Sequence, residues 1–296
     1  MEATACLIEC VPNFSEGRDQ ACVDALESAI ASVAGSFVLH RTSDPDHNRS
    51  VITFAGSPQP VIESALRAAA VAAERIDLTR QAGVHPRLGA MDVLPFVPLT
   101  GASLEDCVSV AHEAGRRLWD ELRIPVYFYE AAALRPEHVR LENVRRAESE
   151  VKRPDIGGPA LHPTAGAVIV GARKFLIAFN VNLRTTDLSV AKSIARQIRT
   201  SSGGLPAVKA LGLPLASRGR VQVSMNLTDF EQTPPKVVFA EIARLAANAG
   251  VAIEESELIG LIPEKALEGS SPEELMIRDF DRQRILEERL RTVAGG

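Results

Sequence analysis

Two segments of the chain hold side chains suited to proton transfer and carboxylate recognition. The first is "QAGVHPRLGAMDVLPFVPL" (81–99), in which His85 stands among glycine, proline and apolar residues. The proline that follows biases the histidine backbone towards extended conformations, so its ring is expected to project from a loop rather than sink into a helix. Imidazole titrates near neutrality, which makes His85 a candidate general acid or base; a plain surface histidine fits the same context. The second segment, "HRTSDPDHNRS" (40–50), gathers His40, Asp44, Asp46, His47, Asn48 and Arg49 between two strand-like runs. A guanidinium at a strand start, Arg49, can clamp a carboxylate through two parallel hydrogen bonds, or form a surface ion pair of little energetic value. The ligand spacing matches no zinc pattern, and no metal is expected.

Asn13 in "PNFSEG", and Asn180 and Asn182 in "AFNVNL", sit near expected strand ends. Their amides can read the edge of a heterocycle through paired donors and acceptors, or cap turns and helices. The basic run Arg140, Arg145, Arg146, Lys152 and Arg153 can meet an anionic tail or form a solvated helix face, and the second is the reading expected. Downstream, "PDIGGPALHPTAG" (154–166) is a Gly- and Pro-rich loop of the kind that carries function rather than core. Neither the dinucleotide fingerprint nor the Walker pattern occurs in a strand-loop-helix setting.

These groups need a scaffold, and the chain is long enough for two. At 296 residues and 46% hydrophobic content it exceeds one comfortable core, so two modules are expected, 1–170 and 171–296. A net charge of -5 with scattered Lys and Arg offers no attraction for nucleic acid or an anionic membrane, which leaves small molecules as partners. No apolar run approaches the roughly 18 residues of a membrane span. Cys6, Cys10, Cys22 and Cys107 show no paired spacing, which points to a reducing cytoplasm.

The apolar spacing switches period in a repeated order. Strand-like "ACLIECVP", helical "ACVDALESAIASVAG", strand-like "SFVLHRT" and "RSVITFAG", helical "PVIESALRAAAVAAERIDL" and a strand near Val93 to Val97 make β-α-β-β-α-β; one more helix and the strand "IPVYFYE" follow. From 173 the order recurs: strand, helix "LSVAKSIARQIR", two strands, helix "PKVVFAEIARLAANAG", strand. The expected class is α/β (α+β), two subdomains, each a mixed sheet with helices on one face in ferredoxin-like order. "SPEELMIRDFDRQRILEERLRTV" is expected to form a closing charged helix capped by Ser271.

Six stretches in order, "ECVPNFSEG" (9–17), "GVHPRLGAMDVLPFVPL" (83–99), "IPVYFYEAA" (124–132), "GARKFLIAFNVNL" (171–183), "QVSMNLTDFE" (222–231) and "ELIGLIPEKAL" (257–267), resemble the formiminotransferase family over nearly the whole chain. The fused cyclodeaminase of the animal bifunctional enzymes has no counterpart. The resemblance implies a cytoplasmic homodimer of histidine degradation that moves the formimino group of N-formimino-L-glutamate to N5 of tetrahydrofolate, a co-substrate, without a metal. It makes His85 the catalytic histidine and assigns folate binding to Gly157, Gly158, Pro159, Ala160, Leu161, His162, Pro163, Thr164, Ala165 and Gly166. Asn13, Arg49, Arg87, Asn180 and Asn182 are then candidates for substrate binding. Where the family carries an acid that orients the histidine this chain has Thr42, and Asp44 is the expected substitute. Formyl transfer between N-formylglutamate or 5-formyltetrahydrofolate and glutamate, and folate binding without turnover, are the competing readings.

Overall fold

The computed structural model describes residues 6–45, 48–81, 87–145, 153–215 and 218–294. The chain divides into two compact units, Met1–Arg173 and Lys174–Gly296. Among the described residues no helix is long and apolar enough to cross a membrane.

Unit 1 runs β1 (Ile8–Cys10), β2 (Asn13–Phe14), α1 (Gln20–Ala31), β3 (Ser36–Asp44), β4 (Arg49–Gly56), α2 (Pro58–Arg75), β5 (Met91–Pro98), α3 (Leu104–Leu122), β6 (Val126–Glu130), α4 (Leu141–Arg145) and β7 (Val168–Ala172). β1 lies between β4 and β5, both antiparallel to it, and β3 flanks β4. β7 and β6 extend the sheet in parallel beyond β5. Alternation decides the two faces. Ile8, Cys10, Ile52, Phe54, Leu94, Phe96, Val126, Phe128, Val168 and Val170 pack with α1, α2 and α3 in the main core. Val93, Tyr127, Tyr129, Ala167 and Ile169 face the other way, where Leu141 and Val144 of α4 cover them.

The helices start where local chemistry closes their first turn. Asp19 caps α1 by accepting from the N–H groups of Ala21 and Cys22. Ser103 and Asp106 form a reciprocal box at the start of α3. Ahead of α1, Glu16 accepts from the N–H groups of Gly17, Arg18 and Asp19 at 2.8–3.0 Å.

Unit 2 runs β8 (Ile177–Leu183), α5 (Leu188–Ile198), β9 (Val208–Leu215), β10 (Arg220–Leu227), α6 (Pro235–Asn248), β11 (Ile253–Ile259) and α7 (Leu286–Ala294). Its sheet is ordered β11-β8-β10-β9. The first strand, β8, lies between two antiparallel neighbours, β11 and β10, much as β1 lies between β4 and β5 in unit 1. α5 and α6 cover one face through Ala191, Ile194, Ile198, Val238, Ile242 and Leu245.

The closing helix is shorter than its periodicity implies. Ser271 and Glu274 do exchange side-chain and backbone bonds, but Met276 and Asp279 adopt positive φ and the turn does not propagate. The N–H of Ser256 on β11 donates to the Met276 carbonyl at 2.7 Å, and the Arg278 N–H donates to the Ser256 carbonyl at 3.0 Å. Strand pairing thus claims backbone groups that a helix would need, and α7 begins only at Leu286.

Candidate active site

His85, within 82–86, lies outside the described residues, and so do Asp46 and His47. The chain on both sides of 82–86 is held firmly. Gln81 donates through Nε2 to Glu16 Oε2 at 2.9 Å, and its Oε1 accepts from Asn48 Nδ2. Asn48 in turn accepts from the Gly17 N–H at 2.9 Å. Burial works against the Glu16 carboxylate, but three backbone N–H donors and Gln81 outweigh it and hold its pKa below the usual carboxylate range. On the far side, the Leu88 N–H donates to Asp92 Oδ1 at 2.7 Å, and Ser15 Oγ donates to the Gly89 carbonyl at 2.7 Å.

The loop that resemblance assigns to folate meets the same two flanks. Leu78 N–H donates to the Thr164 carbonyl at 2.9 Å, Ala90 N–H to the Ala165 carbonyl at 2.9 Å, and Ala167 N–H to the Leu88 carbonyl at 3.0 Å. His162 and Gly166 exchange backbone bonds, and the Ala165 N–H donates to His162 Nδ1 at 3.0 Å. Gly166 is glycine for a reason inside the fold: its φ is +69°, and a Cβ would stand 2.1 Å from the Leu88 carbonyl oxygen. Gly158 has open space where its Cβ would be.

Asn13 and Arg49 come together. The Arg49 Nη2 donates to Asn13 Oδ1, while Asn13 Nδ2 donates to the Val11 carbonyl at 2.9 Å. Gly17 lets this loop close on the β3–β4 turn, since a Cβ would lie 2.5 Å from both the Arg49 nitrogen and the Asp44 carbonyl oxygen. Asp44 ends β3 opposite Arg49, one alternate position beyond Thr42, which pairs with Val51. Arg87 reaches the Ser15 carbonyl at 3.5 Å. Burial, then the charges of Arg145 and Arg87, push the Arg49 guanidinium below the usual arginine range, with Asp92 and Asp44 acting the other way. Three guanidiniums therefore share one region with two carboxylates.

Arg145 corrects the reading of its run as a solvated face. Its side chain is 18% exposed, and its Nη2 donates to the buried Asp92 at 2.7 Å. Arg140 and Arg153 are exposed, and Arg146 and Lys152 lie outside the described residues. Glu16, Gln81, Asp92 and Arg145 were not singled out as site residues by sequence; only the capping pattern around Glu16 carried any signal.

Asn180 sits at the middle of β8 of unit 2, and Asn182 one residue from its end. Asn182 donates to Glu255 at 3.1 Å and Glu257 at 3.0 Å and accepts from Gln222 at 2.9 Å, so its amide is already engaged. Arg218 donates to both glutamates at 2.8 Å, and Arg278 to Glu255 at 3.2 Å. Among the described residues no group of three or more His, Cys, Asp or Glu side chains is placed to hold a metal ion.

Comparison with known proteins agrees along the full length. The N-terminal subdomain of the formiminotransferase domain matches residues 7–173, and the formiminotransferase domain matches 178–290. Glutamate formimidoyltransferase of Thermoplasma acidophilum is 44% identical over 98% of this chain and 99% of its own length. The enzyme of the same name from Streptococcus pyogenes is 42% identical over 96% of this chain and 98% of its own. Formimidoyltransferase-cyclodeaminase of Mus musculus is 43% identical over 88% of this chain, which matches 51% of that longer protein. The chain belongs to the formiminotransferase family.

Proposed function

We propose that the protein is a glutamate formimidoyltransferase that passes the formimino group of N-formimino-L-glutamate to N5 of tetrahydrofolate, with His85 as proton carrier. One observation carries the reading: both flanks of the His85 segment are bonded on one side to the Asn13–Gly17 loop and Asn48, and on the other to the 162–166 loop. A carboxylate-binding group and a candidate folate loop thereby meet at the chain that carries the imidazole.

The N5 amine attacks the amidine carbon, and a C–N bond forms as the C=N bond becomes single. Neutral His85 takes the proton from N5 and returns it to the glutamate nitrogen, whose bond to carbon then breaks. One proton moves from acceptor to leaving group, so the base is regenerated. Such catalysis contributes about a hundred- to ten-thousand-fold. Arg49, Asn13 and Arg87 hold a carboxylate of the donor, and Asp44 steadies the imidazolium. Holding both substrates in register supplies much of the remaining acceleration.

The test is an assay with formiminoglutamate and tetrahydrofolate that follows the 5-formimino product, run beside 5-formyltetrahydrofolate and glutamate. Turnover with the first pair alone is the expected result. Turnover with only the second makes the protein a formyltransferase, and tight folate binding without either makes it a folate carrier.

A further inference from the structure

We propose that Arg145, held by Asp92, is a specificity-determining arm beside Arg49 that binds the second carboxylate of the donor. This rests on the transferase reading above and adds a subsite to it. The starting point is an irregularity in β5. Leu94 and Phe96 pack in the helical core, and strict alternation would send Asp92 there too. Instead the β2–β5 register shifts: Asn13 pairs with Val93 and Phe14 with Met91, which leaves Asp92 as the extra residue. A bulge of this kind re-aims one side chain. Asp92 meets Arg145 at the end of α4, beside the Val144 and Leu141 that seat α4 on Val93 and Tyr127.

Asp92 is held from two directions, with one oxygen on the Leu88 N–H and the other on Arg145. Arg145 is not used up by this bond. Its Nε is buried and has no hydrogen-bond partner. A structural arginine spends such a donor on a carbonyl, because a buried unpaired N–H is costly. Here the guanidinium is anchored at one edge and left short of an acceptor at another. The neighbouring anchor, Asn13, sits on β2 next to the bulge and holds Arg49. Two guanidiniums, each fixed by its own strand residue, with Arg87 contributing further positive charge, suit two carboxylates better than one. The two charges also repel one another, a repulsion that a dianion relieves.

The experiment compares N-formimino-L-glutamate with its γ-amide, N-formimino-L-glutamine, in the wild type, Arg145→Met and Arg145→Lys. The wild type is expected to prefer the dicarboxylate by about 10- to 100-fold in kcat/KM. Arg145→Met should raise the donor KM by that factor, leave the folate KM in place and nearly abolish the preference. Arg145→Lys, which keeps the charge and the fold but not the fork, should restore part of it. Calorimetric titration with L-glutamate reads the same loss without turnover, and thermal melting reports whether Arg145→Met remains folded. If Arg145→Lys and Arg145→Met keep the full preference, or raise the folate KM instead, the subsite is wrong although the transferase reading stands. If the wild type turns over neither donor, the transferase reading itself has failed.

Discussion

In unit 2, Glu255 and Glu257 accept from Arg218, Asn182 and Gln222, with Arg278 adding a bond to Glu255. In unit 1, Arg49 lies within reach of the charges of Arg87, Arg145, Asp92 and Asp44, and Arg145 pairs with Asp92. Both units place their first strand between two antiparallel neighbours, but the polar accounts differ. Two carboxylates face two guanidiniums in unit 2, and its amides are engaged. Among the described residues of unit 1, three guanidiniums face two carboxylates, and the buried Arg145 Nε has no hydrogen-bond partner. A satisfied network rigidifies a fold, whereas an unsatisfied one in a well-packed protein invites a ligand. Topology alone does not separate the two cases; the state of the hydrogen bonds does.

The largest way to sharpen this contrast is His85→Ala. It should lower kcat by about a hundred- to ten-thousand-fold and leave the melting temperature in place, because the loss is of proton transfer rather than packing. Near-normal turnover would remove chemistry from the unit 1 side of the comparison.

Next comes a paired substitution. Arg49→Met should cost about 10- to 100-fold in kcat/KM through the donor KM, as expected for a lost charged hydrogen bond. Gln222→Leu should instead cost about 1–3 kcal/mol of stability by stripping a donor from buried Asn182 and Glu257, with both KM values unmoved. A shifted folate KM in Gln222→Leu would bring the unit 2 network, Asn182 included, into the site.

A third prediction concerns Glu9, buried on β1 and pushed up to about 7 by desolvation, with Arg173 only partly opposing it. The folded chain then holds a proton between about pH 4.5 and 7 that the unfolded chain has released. Its stabilising effect is complete below the unfolded value and lost as pH rises through the folded one, a fall of at most about 3 kcal/mol. Chemical denaturation against pH should show this fall in the wild type and not in Glu9→Gln. Parallel curves for the two proteins would mean that Glu9 is ionised in the fold at neutral pH.

The smallest effect is expected at Gly158, whose missing side chain faces open space. Gly158→Val should raise the folate KM a few-fold with an unchanged melting temperature, if this loop holds folate. Gly166→Val should lower the melting temperature first, because the Leu88 carbonyl occupies the space its side chain would need. Equal effects at the two glycines would show that the loop acts only through the fold.

Much of the architecture is legible from local pattern. The change between twofold and helical apolar spacing marks each unit's strands and helices, because burial on one face is a short-range property of the chain. Recognition of the family rests on motifs that survive in order and directs attention to His85, while the polar segment 40–50 draws attention to Arg49 by residue type alone. The end of the chain misleads, since a helical pattern at 271–285 loses its backbone donors and acceptors to pairing with Ser256. Nor does spacing disclose Arg145. Its partner is 53 residues away, and it meets Asp92 only because a bulge turns one strand residue out of phase. Gln81 reaches Glu16 across 65 residues and Asn48 across 33. Such pairings depend on which strands lie side by side and in what register. Sequence by itself therefore determined the elements, the family and the candidate base; tertiary structure decided which charges are paired, which donor is left over, and hence where an anion would be held.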